Sequence, residues 1–232
     1  MMENNPHAGH RQRLRQQFLS QGLDGLSDVN ALELLLFYAY PRRDTNLIAH
    51  RLLDAFGSLA GVLDADPEDL IGKGGLTENG AVLLKLVMET ARRAQISKSS
   101  RKQLLTTTEK CGEYLVPYYY GLTEETVYVL ALDGKCRVLG CQKLFTGSLS
   151  AAAVSIRSVV DYALRTNAAS LVLSHNHTSG IAVPSQEDVA VTKQLAQALY
   201  TVNILLADHI VVAGDSYASM ASLGLYKPPA MY

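Results

Sequence analysis

The 232-residue chain has no long apolar run and few cysteines, and both absences narrow the classes of protein it can belong to. No apolar run approaches the roughly 18 residues that a membrane-spanning helix needs. The first residues, MMENNPHAGHRQRLRQQ, contain no apolar core of the kind found in secretory signals. Three cysteines (Cys111, Cys136 and Cys141) cannot all pair, and their spacing indicates no disulfide framework. We therefore predict a cytoplasmic globular protein with no membrane partner.

The chain also lacks the excess of basic residues that proteins binding duplex DNA usually carry. It has 21 Lys and Arg against 22 Asp and Glu; residues 1–100 hold 11 and 12 of these, which leaves 10 and 10 for residues 101–232. Because affinity for a duplex depends on neutralising its phosphates, this balance argues against nucleic acid as the main partner of either half.

Residues 1–95 are predicted to form an all-helical domain, since apolar residues recur at helical spacing and no strand pattern interrupts them. Typical terminating residues follow several segments, among them Gly22, Pro41 and Gly57. Helices are predicted over HRQRLRQQFLSQ, SDVNALELLLFYAY, DTNLIAHRLLDAF, DPEDLI and TENGAVLLKLVMETARRAQ. The composition of residues 96–106 shifts to Ser, Thr and Lys, which predicts a linker.

Residues 107–232 alternate between strand and helix patterns. TVYVLALD and CRVLGCQKLFTG predict two strands joined by a tight turn at Asp133–Lys135. IRSVVDYALRTNA and SQEDVAVTKQLAQALYT predict helices, whereas SLVLS and ILLADHIVVAG predict buried strands. This alternation predicts an α/β domain built around a mixed sheet.

Two histidines one residue apart, His175 and His177, stand where an apolar strand meets a Gly/Pro loop. Residues i and i+2 of a strand point to the same face, about 6.5–7 Å apart at the backbone. Two imidazoles at this spacing can converge on one metal ion. The pattern is also compatible with two exposed polar residues in a loop.

A third ligand would have to be a carboxylate from another element, and Asp188 lies in the first turn of the next predicted helix. The same residue also fits a capping box, with Ser185 as N-cap and Asp188 at the third helical position. The two interpretations are compatible, because a cap that fixes this turn would also aim the carboxylate. Three protein ligands leave a coordination position for water, and such a site needs a base, for which Glu125, Glu124 and Glu187 are candidates.

Glu125 ahead of a strand, His175-x-His177 and Ser185-x-x-Asp188 together resemble the JAMM motif of the MPN (JAB1/MPN/Mov34) metalloproteins. More closely, the chain is similar to the bacterial RadC family (UPF0758), from about residue 9 to residue 225. The similarity is carried by GHRQRLRQQFL, ELLLFYAYPRRDTN, AHRLLDAFGSL, LALDGKCRV, ALRTNAASLVLSHNH, PSQEDVAVTKQL and DHIVV. It implies a mixed-sheet MPN/JAMM domain over residues 107–232, preceded by a small domain of helix-hairpin-helix type.

The resemblance implies that His175, His177 and Asp188 bind one Zn²⁺ per chain. It makes Glu125 the general base and Ser185 a hydrogen-bond donor to the oxyanion, in keeping with how tetrahedral intermediates are stabilised. The implied activity is that of a zinc metallopeptidase or isopeptidase acting on a peptide or protein. Rival hypotheses are a DNA-associated repair or recombination accessory protein and a zinc-binding scaffold without turnover.

Neighbouring residues receive structural interpretations. Asn176 is expected to face away from the metal and to fix the loop. Asp208 and His209 match a family pattern and are interpreted as a structural pair outside the site.

The chain departs from the family pattern at two places. Relatives tend to read His-Pro-Ser-Gly where this chain has His177-Thr178-Ser179-Gly180, a change that loosens the loop but removes no ligand. Relatives often have Arg-Glu where this chain has Arg157-Ser158, so no role carries over for that glutamate.

In IGKGGLTENGAVLL a Gly-hydrophobic-Gly turn would offer backbone amides to a DNA phosphate. Here Gly75-Leu76 is followed by Thr77, so the turn is degraded and a plain helix–helix connection explains it as well.

Overall fold

The computed structural model describes residues 9–99, 104–147 and 155–229. The chain divides into two compact units, one up to Ala91 and one from Arg92. The predicted limits (1–95, 96–106 and 107–232) stay a prediction: residues 96–99 of the linker are helical, and residues 100–103 lie outside the described ranges. Within the described ranges, no helix has both the length and the apolar character needed to span a membrane.

The first unit is helical, as predicted. Its elements are α1 (His10–Gln21), α2 (Asp28–Leu36), α3 (Asn46–Phe56), α4 (Leu59–Asp64), α5 (Pro67–Gly72) and the part of α6 (Glu78–Ser99) up to Ala91. The predicted stops at Gly22 and Gly57 are confirmed, and both glycines have positive φ. Helix α2 ends at Leu36, earlier than the predicted stop at Pro41. Tight turns follow it, with the Ala39 amide donating to Leu36 O at 3.1 Å and the Tyr40 amide to the same oxygen at 2.8 Å. Pro41 disfavours helical geometry at Tyr40, the residue before it.

The second unit contains α7 (Thr108–Leu115), a 3₁₀ helix (Val116–Tyr119), β1 (Thr126–Leu132), β2 (Val138–Thr146), α8 (Ile156–Arg165), β3 (Ser170–Asn176), α9 (Gln186–Tyr200), β4 (Leu205–Ala213) and β5 (Ser216–Ser219). The strands form one sheet in the order β2-β1-β3-β4-β5. Strands β3 and β4 are parallel and the other pairs antiparallel, so the predicted mixed sheet is confirmed. The predicted turn at Asp133–Lys135 is also present, and Asp133 Oδ1 accepts from the Lys135 amide at 2.8 Å.

Each face of the sheet is covered by a separate apolar core. On one face Val127, Leu173 and Val211 pack with residues of α8 and α9. On the other face Leu130 and Val172 pack with residues of α7 and the 3₁₀ helix. Because side chains alternate along a strand, a residue's position in β3 or β4 decides which core it joins.

Candidate metal centre

The two histidines of the His-x-His motif lie at the carboxyl end of β3. His175 pairs with Val127 of β1 and with Val211 of β4, and it is 1% exposed. Hydrogen bonding to β4 continues past the strand end, because the His177 amide donates to Val212 O at 2.8 Å. The spacing therefore keeps both rings on the α9 side of the sheet, and their Nε2 atoms lie 2.9 Å apart.

Asp188 reaches the same point from the first turn of α9. The predicted capping box is confirmed: the Asp188 amide donates to Ser185 Oγ at 3.1 Å, and the Ser185 amide donates to Asp188 Oδ2 at 2.7 Å. Asp188 Oδ1 lies 3.3 Å from His175 Nε2, and Oδ2 lies 3.5 Å from His177 Nε2. The capping box thus places Asp188 where it could also bind a metal ion.

The ligand atoms of His175, His177 and Asp188 all lie within 4.8 Å of one another. Among the residues that the structure describes, these three form the group of acidic, histidine or cysteine side chains that could hold a metal ion. Asp188 is 2% exposed, so its carboxylate is almost fully removed from water. A buried carboxylate is costly unless it is paired or coordinates a cation.

The hydrogen bond at its far ring atom directs the Nε2 lone pair of His177 toward this point, whereas either nitrogen of the His175–His209 pair could be the donor. His177 Nδ1 lies 3.2 Å from Ile181 O, and because a carbonyl only accepts, neutral His177 carries its proton on Nδ1. His175 Nδ1 is engaged with His209 Nε2 at 2.8 Å. Burial lowers the pKa of His175 to about 4, although the Asp188 carboxylate raises it, so this ring is neutral at neutral pH. Neutral imidazole is the form that binds metals.

Two imidazole nitrogens and a carboxylate oxygen are a common donor set for Zn²⁺ in catalytic sites, which keep one further position open. Here His177 Nε2 and the Asp188 carboxylate present lone pairs to the same point, His175 Nε2 lies beside them, and a divalent cation among the three would satisfy all of them. The residues therefore fit a metal ion.

Glu125 immediately precedes β1, on the same side of the sheet as the ligands. Alternation along the strand places it on the face of Val127, whose partner is His175. Its carbonyl accepts from the Gly147 amide at 2.7 Å. The structure does not bring its carboxylate into the group of three ligands, so its role as base stays a prediction.

Asn176 hydrogen-bonds the backbone on both sides of Glu125. The Thr126 amide donates to Asn176 Oδ1 at 2.7 Å, and Asn176 Nδ2 donates to Glu124 O at 3.2 Å. The residue between the two histidines thus fixes the backbone on both sides of Glu125, and its predicted role in fixing the loop stays a prediction.

Ser185 contacts Asp188 through its hydroxyl oxygen, which accepts the amide of that residue. Accepting this bond leaves the hydroxyl hydrogen as a donor. The oxyanion role predicted for Ser185 stays a prediction.

The structure separates Asp208 from His209, which the sequence grouped together. The Asp208 carboxylate accepts from Ser219 Oγ at 2.5 Å and from the amides of His209 and Ala221, which is a structural role. His209 lies on the other face and hydrogen-bonds the ligand His175. Thr192 Oγ1 lies 2.6 Å from His209 Nδ1. The sequence offered one sign of each residue's role. His209 is a histidine on an otherwise apolar strand face, and Thr192 lies four residues after Asp188 on the same helix.

The degraded hairpin of the first unit is also visible. Gly75 has φ +69°, and the Thr77 amide donates to the Tyr40 hydroxyl at 2.7 Å. This amide is therefore engaged within the unit. DNA contact by the turn stays a prediction.

The mixed sheet and the His-His-Asp group define a JAB-type domain, and comparison with known sequences supports this class. Residues 105–225 match the family model described as "RadC-like JAB domain". A UPF0758 protein from Polaromonas is 39% identical over 213 residues, which cover 92% of this chain and 95% of the relative. A UPF0758 protein from Paraburkholderia phytofirmans is 38% identical over 90% of this chain and 81% of its own length, and one from Alcanivorax borkumensis is 36% identical over 92% and 95%. The chain belongs to the RadC-like UPF0758 family.

Proposed function

We propose that the protein is a zinc-dependent metallohydrolase of JAMM type that cleaves a peptide or isopeptide bond in a peptide or protein. The observation that carries this proposal is the convergence of three lone-pair donors, from β3 and α9, at one buried point. Membership of the RadC-like JAB family supports it.

Zinc is the metal we propose because it is bound by imidazole and carboxylate ligands together, whereas Mg²⁺ and Ca²⁺ prefer oxygen ligands alone. When bound, zinc supplies Lewis acidity toward the scissile carbonyl and lowers the pKa of water from about 15.7 toward about 7. His175 and His177 would hold it through Nε2, and Asp188 through a carboxylate oxygen. These donors are positioned before any metal arrives, by β3 and by the capping box of α9.

The remaining chemistry falls to two side chains beside this group. Glu125 would accept a proton from the attacking water and return it to the leaving amine, as a general base that becomes a general acid. Asn176 holds the backbone on both sides of this glutamate. The Ser185 hydroxyl would donate to the carbonyl oxygen as negative charge develops there.

The first test is the metal content of the purified chain beside its His175→Ala variant. We expect one zinc per wild-type chain and none in the variant. A wild-type chain that binds no zinc, or a variant that binds as well as wild type, would contradict the metal site.

The second test separates metal binding from turnover. A panel of peptides and isopeptide-linked conjugates is incubated with zinc-loaded wild type, Glu125→Gln and the matched control Glu124→Gln. We expect all three to retain zinc, and only Glu125→Gln to lose turnover. Turnover by Glu125→Gln at the wild-type rate would remove Glu125 from the mechanism, and stoichiometric zinc without hydrolysis of any conjugate would favour a scaffold.

A further inference from the structure

A chain of buried polar side chains runs behind the metal ligands, through residues to which neither the sequence motif nor the proposed mechanism gives a role. His175 Nδ1 lies 2.8 Å from His209 Nε2, and His209 Nδ1 lies 2.6 Å from Thr192 Oγ1. Thr192 Oγ1 donates to Asp188 O at 2.6 Å. The chain therefore starts at one ligand of the proposed metal site and returns to the backbone of another.

The fold holds all three linking groups away from water. His209 and Thr192 are fully buried, and His175 is 1% exposed. The His209 ring has one partner at each nitrogen, His175 Nδ1 at Nε2 and Thr192 Oγ1 at Nδ1. A neutral imidazole has one donor and one acceptor nitrogen, so each hydrogen bond in the chain fixes the direction of the next.

A metal ion on His175 would set the direction of the first hydrogen bond in this chain, between His175 and His209. An ion bound by Nε2 of His175 takes the lone pair of that atom, so the proton of the neutral ring sits on Nδ1. His175 Nδ1–H then donates to His209 Nε2, and the only proton of His209 is left on Nδ1.

The backbone of α9 favours the same direction at the other end. His209 Nδ1–H donates to Thr192 Oγ1, whose own hydrogen points to Asp188 O. Two other groups near this hydroxyl could accept its hydrogen. The Met220 thioether, with Sδ 3.3 Å away, is a weak acceptor. His209 Nδ1 accepts only in the tautomer that a metal on His175 Nε2 excludes. The Asp188 carbonyl thus orients the Thr192 hydroxyl. This hydroxyl in turn orients the His209 ring behind His175.

We propose that His209 and Thr192 are positioning residues that hold His175 as its Nδ1–H tautomer, with the Nε2 lone pair directed at the metal. Outer partners of this kind fix the orientation and basicity of a metal-binding histidine, and their loss typically weakens metal binding by about 10–100-fold. The proposal rests on the metal site of the proposed function and adds two residues to it.

The test measures zinc affinity by competition with a chromophoric chelator in four proteins: wild type, Thr192→Val, Thr192→Ser and His209→Phe. Valine keeps the shape of threonine and removes the hydroxyl, whereas serine keeps the hydroxyl. We expect Thr192→Val to bind zinc about tenfold more weakly, Thr192→Ser to stay within about twofold of wild type and His209→Phe to lose at least as much as Thr192→Val. Because Thr192→Val is nearly isosteric, it keeps the proposal testable even if His209→Phe fails to fold.

A spectroscopic readout distinguishes positioning from general destabilisation. In ¹⁵N-histidine NMR of the zinc-loaded wild type, we expect the protons of His175 and His209 on Nδ1. A proton on Nε2 of His209 would overturn the proposal, as would Thr192→Val binding zinc as tightly as wild type. A wild-type chain that binds no zinc would overturn the proposed function and this inference together, whereas unchanged affinity in Thr192→Val overturns the inference alone.

Discussion

A buried carboxylate faces histidine in each of the two units, and the two clusters differ in how their donors and acceptors match. In the helical unit, Glu33 is 2% exposed, and each of its oxygens has a donor: His10 Nε2 at 2.9 Å and Asn46 Nδ2 at 3.0 Å. In the sheet unit, the Asp188 carboxylate faces two ring nitrogens, and Nε2 of His177 directs a lone pair toward it because Nδ1 of this ring donates to a carbonyl. The same residue types thus form one cluster in which every acceptor has a donor and one cluster that can bind a cation.

The difference lies in what the other end of each ring contacts. His177 donates through Nδ1 to a carbonyl, and His175 is held through Nδ1 by a second histidine. The Nε2 atom of His177 is therefore the acceptor end of its ring, and Nε2 of His175 is the acceptor end of its ring when it binds a metal ion. Because buried polar groups in native proteins are normally satisfied, a cluster of buried acceptors indicates a binding site, whereas a matched cluster indicates a stabilising contact.

The largest effect should come from zinc itself. A ligand that binds only the folded state, present at about a thousand times its dissociation constant, stabilises that state by about 4 kcal/mol. We expect zinc to raise the unfolding temperature of wild type and a chelator to reverse the rise. The control is Asp188→Asn, for which zinc should change the unfolding temperature very little. A comparable rise in this variant would mean that the ion binds elsewhere.

The next effect compares amide substitutions at the two buried carboxylates. Glu33→Gln replaces a charged acceptor of two hydrogen bonds by a neutral amide, and we expect it to lower the free energy of unfolding by about 2 kcal/mol. Asp188→Asn keeps an oxygen at the Oδ2 position for the Ser185 amide and turns its NH₂ group, at the Oδ1 position, toward His175 Nε2. The metal-free variant should therefore stay within about 1 kcal/mol of wild type. Urea unfolding in the presence of a chelator measures both, and equal losses would contradict the contrast between the clusters.

A smaller effect is expected from Asn176, which we expect to position Glu125 without affecting metal binding. Asn176→Ala removes the acceptor of the buried Thr126 amide and the donor to Glu124 O. We expect a loss of about 1–2 kcal/mol in unfolding free energy, with zinc affinity of the folded protein unchanged within about twofold. For Thr192→Val we expect zinc affinity to fall more than it does in Asn176→Ala. The same change in zinc affinity in both variants would count against separate roles for the two residues.

The smallest effects come from one helix cap in each unit. Ser27 Oγ accepts from the Asn30 amide, and Ser185 Oγ accepts from the Asp188 amide. Replacing either serine by alanine should cost about 1 kcal/mol. Only Ser185→Ala should also slow hydrolysis, measured on any conjugate that wild type cleaves. If Ser185→Ala hydrolyses the conjugate as fast as Ser27→Ala, the role of Ser185 is to cap α9 and not to donate to the oxyanion.

Much of the site could be predicted because its signals are local in sequence. The spacing of His175 and His177 fixes a shared strand face, and the Ser185-x-x-Asp188 pattern fixes the first turn of α9. Both features depend on residues no more than three apart, so the period of the strand or helix determines them. The mixed sheet followed from the alternation of strand and helix patterns for the same reason.

The support behind the ligands could not be predicted, because it depends on the register of β3 against β4. His209 lies 34 residues from His175, and a register shift between Leu171 and Val172 sets which β4 residues face the ligand. One residue of slip would turn His209 to the opposite core. Helix α7 escaped prediction because its short segment follows directly on the polar stretch interpreted as a linker.

Zinc K-edge X-ray absorption on the zinc-loaded chain, with Glu33→Gln and His175→Ala beside wild type, tests the two-cluster account most directly. We predict a four-coordinate ion with two imidazole nitrogens and oxygen donors at about 2.0–2.1 Å. This spectrum should be unchanged in Glu33→Gln and lost in His175→Ala. A wild-type spectrum without imidazole scattering, or one that survives in His175→Ala, would contradict the assignment of the metal to the end of β3.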